Sequence, residues 1–392
     1  MDEFARIRHW TERRQSPSLL EAQGVVLGIG DDAAVIGQPP GEAGGLEWLL
    51  AVDTMVETIH FNDATMTEED IGWKALAANV SDIAAMGGEP RHALVSVSVP
   101  RSWGPERVRR LYDGLYACAG HYGVAVVGGD TTSSPLHLVV AVTVVGTAPA
   151  GKAIRRAGAQ PGDAVFVTGA AGMSAAGLHF LLAAGEAPSA QPSVGGGADM
   201  PPPQEPPAAA STQPGPVPLA AAEAAGTAAL VLAHRRPAPS VRAAALLAAR
   251  GTVSSLNDVS DGLASEAWEI AEASGVTLAL RESMLPKSGS MTAYAHRVGK
   301  DPLEWILYGG EDYVLLGTIA AEDAAAAKAE LEAAGLPMFF IGEAGQGPPA
   351  VELIRDLEGR GNGSDGRGSS AASRREPLVK RGYNHFGGQE RC

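Results

Sequence analysis

With 392 residues the chain is long enough for two domains and some unpacked length besides. Its 45 acidic against 30 basic residues leave a formal net charge of −15, which argues against a nucleic-acid binder. The two cysteines, Cys118 and Cys392, cannot build a disulfide framework and lack metal-site spacing.

Residues 1–6 are charged and carry no apolar signal core. No uncharged apolar run reaches the roughly 18 residues that a membrane helix needs, so a cytoplasmic protein is expected, with no membrane contact. Residues 46–53 form an apolar run ending in an acid and predict a buried strand. The spacing of Ile71, Ala75, Leu76, Val80, Ile83 and Ala84 predicts a helix over 69–86, with Lys74 on its solvated face. Residues 92–99 alternate as a strand that Pro100 stops. Val108, Leu111, Leu115 and Ala119 then space out a second helix, on which Cys118 reads as a small buried hydrophobe. Strands are expected at 124–127 and 136–145, with Gly-Gly-Asp at 128–130 in the loop between them.

A second unit starts near Gly151, with a turn at 161–163, a strand at 164–168 and a helix at 174–184. Residues 186–218 are dominated by Pro, Gly, Ala, Ser and Gln, too poor in large apolar side chains to offset ordering entropy. They read as a disordered insert inside the second domain. Regular patterns resume near 223 and run to about 355. Residues 357–377, rich in Gly, Ser and charge, read as a second flexible segment, and 378–392 as a tail that docks back. The expected plan is mixed α/β, with domains at 1–150 and 151–356.

Five acidic motifs punctuate these elements: Gly-Ile-Gly-Asp-Asp at 28–32, Asn-Val-Ser-Asp at 79–82, Gly-Gly-Asp at 128–130, Asp-Val-Ser-Asp at 258–261 and Gly-Gly-Glu-Asp at 309–312. Any one alone reads as a cap or turn. Five together suggest several Mg²⁺ ions holding clustered phosphates, because carboxylates are poor core residues and good ligands for hard cations. Asp258 and Asp261, three apart, can face the same way, whereas adjacent Asp31 and Asp32 diverge and Asp31 reads as structural. Gly128 and Gly129 would let backbone approach a phosphate. No Walker A motif occurs, which leaves phosphate handling to metals and glycine turns. Tyr112 suits either a nucleotide contact or a core position.

Seven motifs in order resemble the thiamine-monophosphate kinase family: Gly28-Ile-Gly-Asp-Asp-Ala-Ala-Val35, Val52-Asp-Thr-Met-Val-Glu57 with His60-Phe61, Asn79-Val-Ser-Asp-Ile-Ala-Ala-Met-Gly87, Gly128-Gly-Asp-Thr-Thr132, Asn257-Asp-Val-Ser-Asp-Gly-Leu263, Gly309-Gly-Glu-Asp-Tyr313 and Gly382-Tyr-Asn-His-Phe386. The resemblance implies the α/β (α+β) two-domain fold of the aminoimidazole ribonucleotide synthetase superfamily, with N-terminal sheets pairing into a barrel-like core in a homodimer. It implies ATP-dependent phosphorylation of thiamine monophosphate to thiamine diphosphate with several Mg²⁺ ions and no general base. The metal ligands it implies are Asp32, the backbone of Val52, Asp53, Asp82, Asp130, Asp258 and Asp261. Relatives often carry Ser-Thr where this chain has Ala51-Val52, so any metal contact there falls to a backbone carbonyl. Tyr112, Gly129, Asp130, Arg156 and Ser260 match ATP contacts, with Arg155 the neighbouring register for the arginine. His60, Glu311 and Tyr383 match acceptor contacts. Met173, in a Gly-rich loop where some relatives carry Asp, has no functional reading. Selenophosphate synthetases usually carry a reactive Cys near the N-terminus, and here none precedes Cys118. A non-catalytic nucleotide-binding protein is the rival from another class, and a turnover assay separates the two.

Overall fold

A computed structural model describes residues 17–28, 30–37, 45–186, 217–224, 226–356 and 373–382. Most of the insert at 186–218, residues 357–372 and Tyr383 lie outside the described residues. The strands form two sheets, one in each half of the chain. The first comprises β1 (Val25–Leu27), β2 (Ala34–Ile36), β3 (Leu46–Val56), β4 (Glu89–Pro100), β5 (Ala125–Ser134) and β6 (Val139–Pro149), in the order β1-β2-β3-β6-β4-β5. Only β4 and β5 run parallel in it. The second comprises β7 (Ala164–Val167), β8 (Val253–Asp258), β9 (Thr277–Arg281), β10 (Leu315–Ile319), β11 (Phe339–Gly345), β12 (Ala350–Asp356) and β13 (Ser373–Pro377), in the order β13-β12-β9-β11-β7-β10-β8. The helices are α1 (Pro17–Ala22), α2 (Glu68–Ala85), α3 (Pro105–Tyr122), α4 (Met173–Glu186), α5 (Leu219–Ala224), α6 (Ala228–Arg235), α7 (Val241–Arg250), α8 (Leu263–Ser274), α9 (Gly289–Val298), α10 (Pro302–Tyr308) and α11 (Ala321–Ala333). None is long and apolar enough to cross a membrane.

Helix α2 organises the first unit. Thr67 caps it in a reciprocal box, accepting from the Asp70 amide while the Asp70 carboxylate accepts from the Thr67 amide. Nearly every side of the helix is buried, because the sheet and α3 cover one flank and the second unit the other. A Cβ on Gly72 would lie 1.9 Å from the Leu111 carbonyl oxygen, and one on Gly114 would lie 1.8 Å from that of Glu69. Helices α2 and α3 therefore meet backbone to backbone.

The side of the first sheet away from these helices is open. Trp48 (41 % exposed), Val52 (62 %), Leu94 and Val127 project from it. Strand alternation explains this, since Leu49, Ala51, Ala93 and Val95 point to the core between them.

Two expectations about the strands need correction. Gly-Gly-Asp lies inside β5 rather than in a loop. A Cβ on Gly129 would sit 1.8 Å from the Val95 carbonyl oxygen, so this glycine admits the parallel pairing with β4. Residues 373–377, counted in a flexible segment, form β13 against β12. The charges that suggested disorder pair across the strands: Arg375 with Glu352 at 3.1 Å and Glu376 with Arg355 at 3.5 Å.

Gly114→Ala is expected to lower thermal stability by about 1–3 kcal/mol or more through overpacking. Gly120→Ala on the same helix meets nothing within 4 Å and is expected to be neutral or to stabilise by up to about 1 kcal/mol. Thermal melting of the two variants checks this; equal melting points would contradict the close approach.

Candidate active site

The Asn-Val-Ser-Asp stretch of α2 shows why each residue stands where it does. Buried Asn79 donates to the Ala75 carbonyl at 3.0 Å and accepts from the Asp53 amide at 2.9 Å, which ties β3 to the helix. Ser81 donates to Asp258 Oδ2 at 2.5 Å, reaching into the second unit. Asp82 then meets Asp32 and Asp258, and one carboxylate oxygen of each lies within 4.8 Å of the others. Three distant parts of the chain thus converge in one place.

The electrostatics follow from that convergence. Burial, then the charges of Asp53, Asp258 and Asp32, push Asp82 well above the ordinary carboxylate range. Burial first and Asp32 next push Asp258 up to about 8, against the Ser81 hydrogen bond and Arg156. Burial likewise raises Asp32, against the Arg156 guanidinium. A close group of hard oxygen donors, Asp258 buried and Asp32 and Asp82 half-buried, with too little positive charge around it could hold a divalent cation.

Arg156 lies among these acids. It pairs with Asp32 and, through Nη1, with Glu269 Oε2 at 3.0 Å. Asp31 accepts the Arg156 amide at 3.3 Å and the Asp32 amide at 3.0 Å, and its Oδ1 lies 3.9 Å from Arg156 Nε, so the two adjacent acids share one arginine instead of diverging. Beneath lies a layer that sequence reasoning missed. Glu266 accepts from the Asp261 amide at 2.9 Å and from Asn257 Nδ2 at 2.8 Å, and the same Asn257 nitrogen donates to Glu269 at 3.0 Å. Burial raises both glutamates above their usual range. The available signal was two acids three apart on the apolar face of α8, among Leu263, Ala267 and Ile270.

Other candidates lie apart from the trio. Asp130 is exposed on β5, where it lines a cleft of about 270 Å³ with Tyr112, Tyr116, Gly128 and Gly129. Tyr112 is half-buried there. His60 Nδ1 accepts the Val56 amide at 3.0 Å and closes the turn after β3. Val52 projects from the open sheet face beside Asp53. Asp261 and Ser260 sit in the loop after β8, where Ser260 Oγ lies 3.5 Å from Glu266.

The Gly-Gly-Glu-Asp loop rides on that same loop. The Glu311 amide donates to the Ser260 carbonyl at 2.6 Å, and the Tyr313 amide to that of Val259 at 2.9 Å. Asp312 accepts from the amides of Gly172 (2.5 Å) and Ser174 (2.9 Å), so it caps α4 and gives the Met173 loop a structural explanation. Burial pushes Asp312 up to about 7 despite these amides. Lys74 corrects the expectation of a solvated face: it is fully buried, with Nζ 2.7 Å from Glu311 Oε2. Gly382, the last described residue, abuts the same loop, since a Cβ on it would lie 2.8 Å from the Asp261 carbonyl oxygen.

Residues 30–148 match the model of the AIR synthase related protein, N-terminal domain, and residues 221–353 match that of its C-terminal domain. Over 386 residues the chain is 37 % identical to the thiamine-monophosphate kinase of Bacillus subtilis (strain 168), covering 98 % of this chain and 100 % of that one. The chain belongs to the thiamine-monophosphate kinase family. Among solved structures, that of AaThiL complexed with AMPPCP and TMP aligns with a TM-score of 0.69 at 28 % identity, covering 98 % of this chain and 97 % of that one. The thiamine-monophosphate kinase from Stenotrophomonas maltophilia K279a aligns with a TM-score of 0.66 at 31 % identity, covering 89 % and 94 %. The two-domain α/β architecture expected from the sequence agrees with these matches.

Because folding raises Asp258 from 3.8 to about 8, the folded state retains a proton that the unfolded chain loses across that range. The stability of the cation-free protein is therefore expected to fall as pH rises from about 4 to 8. In chelator, Asp258→Asn should melt above wild type at pH 8, and the difference should shrink at pH 5. Melting curves at the two pH values check the sign; a variant that melts below wild type at pH 8 contradicts it.

Proposed function

We propose that the protein transfers the γ-phosphoryl group of ATP to the phosphate of thiamine monophosphate, forming thiamine diphosphate and ADP. The observation that carries this reading is the convergence of the carboxylates Asp32, Asp82 and Asp258 in a chain of this family. The acceptor phosphate has a second pKa near 6 and is mostly ionised at neutral pH, so no base is needed to expose its oxygen. The obstacle is repulsion between two anions.

The donor set fits Mg²⁺: three carboxylates, mutually repelling and short of positive charge, offer the hard oxygens this ion prefers. Asp32, Asp82 and Asp258 would hold it, with Asp53 beside them; Asp130, Asp261 and the Val52 carbonyl complete the set that the family implies. When bound, Mg²⁺ supplies positive charge to the phosphate oxygens. The chain's own groups do the rest. Tyr112 offers an aromatic face to the nucleotide, while Gly129 leaves the backbone of β5 bare beside Asp130. Arg156 brings a planar donor to the oxyanions and Ser260 a hydroxyl. On the acceptor side, the Glu311 carboxylate favours the cationic thiazolium, with His60 and Tyr383 as further contacts.

The working unit is a homodimer. The open sheet face, with Trp48, Val52, Leu94 and Val127 exposed, supports a second copy as its cover.

Incubation with ATP, Mg²⁺ and thiamine monophosphate should yield thiamine diphosphate by chromatography, whereas unphosphorylated thiamine, an alcohol acceptor that needs a base, should not turn over. Asp82→Asn should lower kcat by about two orders of magnitude or more, roughly 3 kcal/mol, without loss of folding. Comparable turnover of thiamine itself would sink the reading.

A further inference from the structure

Lys74 and Asp82 share helix α2, eight residues and about 12 Å apart along its axis. The Lys74 side chain has no exposed surface. Its ammonium donates to Glu311 Oε2 at 2.7 Å and lies 3.5 Å from His234 Nδ1. Ser174 Oγ approaches the same imidazole nitrogen at 3.1 Å. Burial first, then the charges of Lys74 and Arg235, drive His234 well below its ordinary range, and its Nδ1 also lies 3.5 Å from Glu311 Oε2. Burial also lowers Lys74, while the Glu311 charge opposes that shift.

Glu311 sits in a left-handed conformation (φ 63°), a strained state for a residue with a side chain. Its side chain is 27 % exposed, and its Oε2 is tied to the buried Lys74 ammonium. A buried ion pair seldom stabilises a fold more than apolar groups of the same volume would. What this pair contributes is direction.

We propose that Lys74 is a positioning residue for the phosphoryl acceptor: from inside the junction of the two units it fixes the Glu311 carboxylate, Oε2 inward, so that the remaining oxygen meets the cationic ring of the acceptor. The inference rests on the reading of Glu311 as an acceptor contact. Lys74 acts through Glu311 and not on substrate, since no atom of its side chain reaches the surface. One rigid helix carries both Lys74 and Asp82, and so sets the spacing between the acceptor's cation and the acid trio.

Steady-state kinetics of the full-length enzyme test this with Lys74→Gln, Glu311→Gln and the double variant. Each single change should raise KM for thiamine monophosphate by about tenfold or more, the double no further than either, with KM for ATP within about twofold of wild type. A merely structural lysine would lower the melting temperature and kcat together and leave the acceptor KM unchanged, which overturns the proposal. Should Lys74→Gln not fold, Glu311→Gln against the double variant decides. Equal acceptor KM values support positioning through Glu311, and a further tenfold or so loss in the double overturns it. A wild-type enzyme that forms no thiamine diphosphate refutes the functional reading and this inference with it. Normal wild-type turnover with an unchanged KM in Lys74→Gln refutes the inference alone.

Discussion

Mutual repulsion among buried carboxylates is the constraint around which this molecule is arranged. Asp32, Asp82 and Asp258 come from the start of the first sheet, the last turn of α2 and the end of β8, and bringing them within 4.8 Å opposes folding. The surroundings offset part of that opposition with groups of definite geometry: the Ser81 hydroxyl on Asp258 and the Arg156 guanidinium on Asp32. A residual deficit of positive charge is left, and it is the feature on which the proposed cation site rests.

Helix α2 makes this arrangement possible. It runs between the two units, and its polar residues reach in both directions: Asn79 to β3, Ser81 to Asp258, Lys74 to Glu311, and Asp70 to Arg236 at 2.7 Å. Trp73 adds a hydrogen bond to the Pro237 carbonyl at 2.9 Å. A helix so loaded with buried polar groups is tolerable only if each is satisfied, and the second unit supplies most of the partners. The backbone contact of Gly72 and Gly114 with the facing helix presses α2 into place from the other side. Position along this helix therefore translates into position within the site.

A buried floor of acids and amides under the Asp258–Asp261 loop extends the same logic. Glu266 holds the Asp261 amide, Asn257 links Glu266 to Glu269, and Glu269 holds Arg156. The Glu311 turn lies over that loop and Gly382 abuts it. The Glu311 turn and the Asp258–Asp261 loop thus rest on one support.

The acidic motifs, the α/β alternation and the family were legible in the sequence, because they rest on local patterns: carboxylates beside glycine at the ends of apolar runs, and strands stopped by Pro or Gly. Asp32, Asp82 and Asp258 stood out in the sequence one at a time as candidate ligands, but that these three meet while Asp130 stands apart on β5 was decided only by sheet order. The same holds for Lys74, whose place on a solvated face was a fair inference from one helix considered alone; the second unit covers that face. It holds for Gly129, where the neighbour is a parallel strand, and for Ser373–Pro377, where charges that look disordering in line become pairs across two strands. Glu266 and Glu269 were invisible for the same cause, since a helical acid is buried or solvated according to what packs on it. Periodicity and motif spacing report what a segment prefers by itself; burial and charge pairing depend on segments hundreds of residues away, and only the folded chain brings those together.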